Sequence, residues 1–282
     1  MQAKKTVLIT GCSSGIGLYC ANELQKAGFQ VIASARKAED VVTLENQGLT
    51  AIQLDLASSD SINDGVSAAL DIARGSIYGL FNNGAFGQPG AVEDLSRELL
   101  RTSFETNLFG THELTCKIIP SMREAGMGRI IQNSSVLGLV GLPYRGAYNA
   151  SKFALEGLTD TMRIELRDSG IQVSLIEPGP ITSRFRENAL ALFQKNINVE
   201  SSAHRNQYEG MLKRLTKVGP SAPGTLGPEA VYKKLLHALT SKRARPRYYV
   251  TYPTYLLGTG KRLFSTGIVD AILAKISRDE NS

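Results

Sequence analysis

Tyr148 and Lys152 stand four residues apart, and Ser135 precedes the tyrosine by thirteen. Four residues make about one helical turn, so a phenol and an ammonium would share one face of a helix. A free phenol titrates near pH ~10 and exchanges protons poorly at neutrality. A neighbouring cation favours the phenolate and draws that titration toward the working range. A serine hydroxyl beside the phenol could hold a carbonyl or alcohol oxygen. Together the three side chains could move a proton to or from such an oxygen. A Tyr-x-x-x-Lys pair alone is also an everyday helix surface, a half-buried tyrosine with a solvated neighbour. The rest of the chain decides between the two.

The run Thr10-Gly11-Cys12-Ser13-Ser14-Gly15-Ile16-Gly17 joins a strand-like segment, residues 6–10, to a helix reaching about Lys26. Glycines there permit a sharp turn and a close approach to a pyrophosphate. The helix N-terminus adds free N–H groups and the positive end of a dipole. After the second strand the sequence reads Ala33-Ser34-Ala35-Arg36-Lys37. An acidic side chain at this point would grip the ribose diol of NAD, whereas an arginine suits the 2′-phosphate of NADP. Ala35 occupies the acidic position, and Arg36 and Lys37 supply the charge, so NADP(H) is expected in preference to NAD(H). Glu39 and Asp40 a little further on keep NAD(H) open.

These motifs need elements to hold them. Apolar β-branched runs at residues 6–10, 30–35, 50–54, 77–81, 129–133 and 172–176 alternate with amphipathic segments, among them 60–74, 101–125 and 147–168. Residues 247–251 offer a seventh strand. Such alternation predicts an α/β fold: a doubly wound, Rossmann-type parallel sheet of about seven strands with helices on both faces. No linker divides it, so residues 1–282 form one predicted domain. The alternation breaks after Gly179, and residues 183–217 read as an insertion lidding the substrate side. Residues 137–145 are expected to border the same pocket. In the C-terminal segment, 252–282, apolar residues mingle with Lys261, Arg262, Lys275 and Arg278. Glycines at 258, 260 and 267 are expected to interrupt a helix there, which favours packing on the subunit or an oligomer interface over peripheral membrane contact.

Composition narrows the function classes. The chain has 282 residues, 42% hydrophobic and 21% charged, which suits one large α/β domain. A net charge of +6 without a concentrated basic patch gives no footprint for nucleic acid. Three cysteines and three scattered histidines make neither a disulfide framework nor a metal site. With no apolar run near the ~20 residues of a membrane span, a reducing, cytoplasmic setting is expected.

The spacing Thr-Gly-x-x-x-Gly-x-Gly, followed by Tyr-x-x-x-Lys, resembles the classical short-chain dehydrogenase/reductase family, and the resemblance runs from about Lys4 to Thr251. It implies cofactor contacts at Gly11, Ser13, Ser14, Gly15, Ile16 and Gly17, at Arg36 and Lys37, at Asp55 (the adenine edge) and at Asn82. It implies further contacts at Pro178, Gly179 and Thr182, the last near the carboxamide. In the implied chemistry Tyr148 is the general acid or base and Lys152 lowers its pKa and meets the nicotinamide ribose. Ser135 holds the substrate oxygen, and Asn107 anchors a water relay. The chain looks most like hydroxysteroid and retinol dehydrogenase-like members and bacterial NADP-dependent aldehyde reductases. Reduction of an apolar aldehyde or ketone, oxidation of a hydroxysteroid or retinol-type alcohol, and a non-catalytic NADP(H)-binding sensor are the readings left open. A homo-oligomer is expected. One departure stands out: the family's Asn-Asn-Ala-Gly is Asn82-Asn83-Gly84-Ala85 here, with the last two residues exchanged.

Overall fold

The computed structural model describes residues 4–220 and 222–281. Residues 1–3 and 282 of the predicted domain, and Ser221 in the Gly/Pro-rich exit from the insertion, lie outside the described residues. Seven parallel strands form one sheet in the order β3-β2-β1-β4-β5-β6-β7. They are β1 (Thr6–Ile9), β2 (Gln30–Ala35), β3 (Thr50–Gln53), β4 (Gly79–Asn82), β5 (Gly128–Asn133), β6 (Ile171–Glu177) and β7 (Arg247–Tyr249). The predicted strands are all present. β1, β4 and β5 are buried along their whole length, because a parallel sheet carries helices on both faces.

On one face lie α1 (Gly15–Lys26), α2 (Ala38–Asn46) and α9 (Glu229–Thr240). Cys20, Leu24, Leu44, Val231 and Leu235 from these helices close a core over Val7, Ile9, Val31 and Phe81. The other face carries α3 (Ser59–Ile72), α5 (Thr111–Glu124) and α6 (Gly146–Glu165), whose Ile62, Leu114, Ile118 and Met162 cover Leu8, Ile32, Leu80 and Ile130. The single helix read at 101–125 is a composite of α4 (Arg97–Phe104), a π-helical turn Glu105–Gly110 and α5. The widened turn ends at a close approach to a distant segment. A Cβ on Gly110 would sit 1.7 Å from the Leu56 carbonyl oxygen, so the backbones of the turn and of the β3–α3 loop pass in contact.

The region after β6 is helical: α7 (Phe185–Asn196) and α8 (Arg205–Thr216). Their Ala189, Phe193, Tyr208 and Met211 form a separate core with Ala91, Leu95 and Ala147. Tyr208 Oη and Ser202 Oγ both donate to Asp94, and the Ala91 N–H donates to Tyr208 Oη at 2.8 Å. The insertion is thereby fastened to the loop after β4.

Two expectations are corrected here. Gly258 and Gly260 lie inside α10 (Tyr252–Leu263) and Gly267 inside α11 (Thr266–Asn281), so the glycines do not break the helices; the break falls at Phe264–Ser265. Gly258 instead lets α10 close onto the Tyr249 ring, which a Cβ would meet at 3.0 Å. Val140 and Leu142, expected to border the pocket, pack with Leu257, Val269 and Leu273 of α10 and α11. The opposite face of this helix pair leaves Tyr252, Leu256, Leu263 and Phe264 exposed.

Candidate active site

Strand order reverses between β1 and β4, and the loops following these two strands meet over the resulting crevice. Gly11 and Gly15 hold φ of 70° and 58°, a conformation that a side chain disfavours. A Cβ on Gly17 would lie 2.2 Å from the Gly11 carbonyl oxygen, so α1 and the loop touch through backbone alone. The Asn83 amide stitches the loop in place. Its Nδ2 donates to the Thr10 and Gly11 carbonyls at 3.0 and 3.2 Å, and its Oδ1 accepts from Asn133 Nδ2 at 2.9 Å. Thr10 Oγ1 accepts from the N–H groups of Asn83 and Gly84. The exchanged Gly84 faces this junction, since a Cβ on Gly11 would come within 2.9 Å of Gly84 Cα. At the start of α1, Ser14 makes no side-chain cap and the first turn carries no acid. Its N–H groups are therefore directed at a space suited to an anion, and the cradle fits a pyrophosphate.

β5 ends at Asn133, and Ser134 and Ser135 carry the chain toward α6. Tyr148 and Lys152 occupy successive turns of that helix, and the Tyr148 hydroxyl is hydrogen-bonded to Ser135. Lys152 is buried, with Nζ donating to the Asn133 carbonyl at 2.7 Å. Asn107, in the π-helical turn, clasps the Phe86 backbone through both of its amide atoms and reaches Ser151 Oγ at 3.2 Å. The structure thus brings Tyr148, Ser135, Lys152 and Asn107 into one locality.

The electrostatics differ from the sequence expectation. Desolvation pushes the Tyr148 phenol above its usual range, the Ser135 hydrogen bond draws it partly back, and the Lys152 ammonium lies 5.6 Å from the ring centroid. Desolvation also brings Lys152 down from 10.5 to about 8, against the pull of Glu156 one turn further along α6. The lysine, rather than the phenol, is the group placed to change charge near neutrality.

The other expected contact residues have differing surroundings. Arg36 and Lys37 are exposed beyond β2; Lys37 pairs with Glu39 at 3.1 Å, while Arg36 makes no ion pair among the described residues. Ser34 is fully buried, and its hydroxyl has no hydrogen-bond partner. Asp55 caps its own turn, with Oδ1 accepting from the Ala57 N–H at 3.0 Å. Asn82 turns into the sheet, donating to Thr115 Oγ1 at 2.8 Å and leaving its own amide oxygen without a partner. Pro178 accepts from the Val136 N–H, and Gly179 lies so close to Thr251 that a Cβ would come within 2.1 Å of its Oγ1. Thr182 is exposed; its neighbour Ser183 is the residue facing the glycine loop, 3.0 Å from where a Cβ on Gly15 would be.

Several residues near the crevice escaped sequence reasoning. Asn83 and Ser183 adjoin expected positions, so the motif spacing pointed close to them. Phe185, the first residue of α7, sets its ring edge-on to Tyr148 with centroids 5.2 Å apart, and a Cβ on Gly87 would meet that ring at 2.7 Å. Behind Lys152, Arg247 at the start of β7 binds three carboxylates: Glu156, Glu177 at 2.7 Å and Asp160 at 2.6 Å. No spacing signal links residues so far apart in the chain. Among the described residues no group of histidines, cysteines and acids could hold a metal, and no helix is long and apolar enough to cross a membrane.

A parallel sheet that reverses its strand order beside a glycine-lined helix N-terminus, with Tyr148, Ser135 and Lys152 gathered nearby, is the architecture of an oxidoreductase acting on CH–OH and C=O groups. The chain belongs to the short chain dehydrogenase family, whose profile matches residues 5–191. It is 43% identical over 270 residues to the Uncharacterized oxidoreductase YbbO of Escherichia coli (strain K12), covering 96% of this chain and 94% of that one. Human Retinol dehydrogenase 8 is 40% identical over 199 residues, 67% of this chain and 63% of that protein. Among solved structures, a short chain dehydrogenase/reductase from Burkholderia phymatum in complex with NAD aligns with TM-score 0.75 and 26% identity, covering 92% of each chain.

Proposed function

We propose that the protein reduces an apolar aldehyde or ketone to the alcohol, and runs the reverse reaction, with NADP(H) in preference to NAD(H). The observation that carries this reading is the Tyr148–Ser135 hydrogen bond with Lys152 one turn away, beside the glycine cradle. Gly11, Gly15, Ile16 and Gly17, with Ser13 and Ser14, would hold the pyrophosphate on the α1 N-terminus; Asp55 and Asn82 would flank the adenosine, and Pro178, Gly179 and Thr182 the nicotinamide end. Arg36, supported by Lys37, would take the 2′-phosphate. When bound, the nicotinamide supplies or accepts the hydride. The protein supplies the rest. Ser135 orients the substrate oxygen and stabilises charge growing on it. Tyr148 delivers its proton to that oxygen in reduction and removes it in oxidation. The Lys152 cation stabilises the phenolate left behind, and Asn107 holds the π-helical turn from which a water could relay protons to the lysine.

Several features support an apolar substrate. Phe185 lies across Tyr148, and α7 and α8 bring a hydrophobic core up to the same side, as a lid would. The 40%-identical retinol dehydrogenase supports including long isoprenoid aldehydes and alcohols among candidate substrates. Phe109 in the π-helical turn and Ile164 on α6 are exposed apolar side chains that suit a homo-oligomer contact. Free thiols at Cys12, Cys20 and Cys116 suit a reducing cytoplasm.

The test is oxidation of NADPH, followed at 340 nm, against medium-chain aldehydes, steroid ketones and retinal, with NADH in parallel. Turnover with NADPH is expected on at least one member of the panel, and Tyr148→Phe should lower kcat about a thousandfold while NADPH binding persists. Undiminished turnover in Y148F would remove the tyrosine from the chemistry. Tight NADPH binding with no turnover in either direction would leave a sensor.

A further inference from the structure

Lys152 carries its ammonium into the protein, and the charges that accompany it there have a definite arrangement. Glu156 follows it by one turn on α6, where side chains four apart are neighbours. The Glu156 carboxylate is nearly buried, with 8% of its side chain exposed, and Glu177 is completely so. Both are gripped by the Arg247 guanidinium, which also holds Asp160 at 2.6 Å. The fork of the guanidinium suits several carboxylates at once, as an ammonium would not. Glu177 is the residue before Pro178-Gly179, so the clamp ties the end of β6 to the helix bearing Tyr148 and Lys152.

An ion cluster of this kind is an expensive way to brace three elements. Buried ion pairs are often matched in stability by apolar residues of similar volume. Its position suggests a different use. A buried ammonium tends to lose its proton, and a nearby anion opposes that loss. Glu156 is the one charged group identified as holding Lys152 in its protonated form. Other charged or titratable groups surround this locality. Tyr148, Asp160 and Arg163 share α6, Glu177 lies on β6, and Arg247 and Tyr249 lie on β7. From α10, Lys261 sits over the Phe153 ring and donates to the Leu139 carbonyl, and Arg262 bears on Tyr249. Arg247 faces the carboxylates and Arg163 pairs with Asp160 at 2.7 Å, so neither cation is left to oppose Lys152 uncompensated.

Burial pushes the Glu156 carboxyl up, and the Ser134 hydrogen bond and the Arg247 guanidinium draw it partly back. From this arrangement we infer that Glu156, fixed by Arg247, is a positioning residue that holds Lys152 in its charged form and so sets the pH range over which the Tyr148–Lys152 pair works. The inference rests on the proton-transfer reading above, and it reaches a part of the molecule that touches neither substrate nor cofactor. Glu177 shares the guanidinium but carries its proton up to about 8, because burial and the charge of Glu156 oppose its ionisation.

The decisive experiment follows the Cε resonance of Lys152 by NMR in full-length protein carrying [13Cε]lysine, with the signal assigned by its disappearance in Lys152→Arg. Glu156→Gln should lower the Lys152 midpoint by about half to one pH unit, the effect expected of one lost neighbouring charge. Glu156→Asp, which keeps the charge, should restore it to within about 0.3 unit. Asp160→Asn, which removes an Arg247 partner two turns from Lys152, should leave it unmoved. In carbonyl reduction the descending limb of kcat near pH 8 should shift down with the NMR midpoint in Glu156→Gln, with the NADPH dissociation constant held within about threefold. If Glu156→Gln is too unstable to titrate, Glu156→Met, which removes the charge at similar volume and leaves Arg247 its other two carboxylates, should shift the midpoint in the same direction. An unmoved Lys152 midpoint with reduced thermal stability would make the clamp a brace only and overturn the inference. The NMR titration needs no substrate, so a protein that turned over nothing on the panel would refute the proposed reaction and still decide this point.

Discussion

Arg36 is where a single side chain bears most directly on what the protein uses. It leaves the end of β2 exposed and without an ion pair among the described residues, while its neighbour Lys37 is already engaged by Glu39. A guanidinium with an open fork can bind a phosphate through two parallel hydrogen bonds, worth more than contact with a neutral ribose hydroxyl. Ala35, at the position where an acid would hold the ribose diol, offers NAD no compensating contact. Arg36→Ala should therefore weaken NADPH binding by about tenfold to a hundredfold and leave NADH binding nearly unchanged, because only the former loses a charge-assisted pair. Fluorescence titration of each cofactor into the variant checks it; equal losses for both would place the arginine elsewhere. Cys12, a few residues before α1, makes an instructive contrast. It is buried, donates to the Ile9 carbonyl and has its thiol pushed up to about 12 by desolvation, so it packs rather than reacts.

At the scale of elements, the site depends on two backbone approaches that only glycine permits, and they differ in how visible they are beforehand. Gly17 belongs to a spaced trio after a strand, and its contact with the Gly11 carbonyl follows from the motif. Gly110 has no such company in the sequence. Its Cβ would fall 1.7 Å from a main-chain oxygen, which no rotamer change can relieve. Gly110→Ala should therefore destabilise the fold by about 3 kcal/mol or more and distort the π-helical turn carrying Asn107. Chemical denaturation of the variant measures it, and a loss below ~1 kcal/mol would mean that the turn can open. The same contrast separates what was legible in the sequence from what was not. Strand periodicity, the glycine spacing and the Tyr-x-x-x-Lys pair are local patterns; they gave the seven strands, the glycine loop and the Tyr148–Lys152 pair, whereas Asn107, Asp55 and Asn82 were named only by what the family resemblance implies. The π-helical turn, the placement of Phe185 over Tyr148 and the Arg247 clamp depend on contacts between distant segments, for which one sequence carries no periodic signature. The glycines of α10 and α11 misled for a related reason. Their propensity cost is about 1 kcal/mol each, and close packing such as that of Gly258 on Tyr249 outweighs it.

Across the whole molecule, the last element added to the sheet reaches back to the centre. β7 is an edge strand of three residues, yet its Arg247 joins the β6 terminus to α6, so a side chain from the C-terminal third braces the helix that carries Tyr148 and Lys152. That arrangement makes stability depend on pH in a particular direction. Glu177 has a native pKa raised to about 8 from an ordinary 4.5, so between those values the folded chain keeps a proton that the unfolded chain has released. Its contribution is present below 4.5 and is lost as pH rises toward about 8. Lys152, lowered to about 8 from 10.5, acts in the next window, where the unfolded chain holds the extra proton and stability rises with pH. The two windows barely overlap, so they can be read separately. Glu177→Gln cannot titrate and keeps a carbonyl oxygen for Arg247, so the fall in melting temperature between pH 5 and 8 should be smaller in the variant than in the parent by at least about 2 °C, given that ~1 kcal/mol moves a domain of this size by a few degrees. Above pH 8 the two curves should run parallel, since Lys152 is common to both. Calorimetric scans in a buffer series test both halves of the expectation: parallel curves below pH 8 would mean that Glu177 is ionised in the folded protein and that Arg247 carries both glutamates as anions.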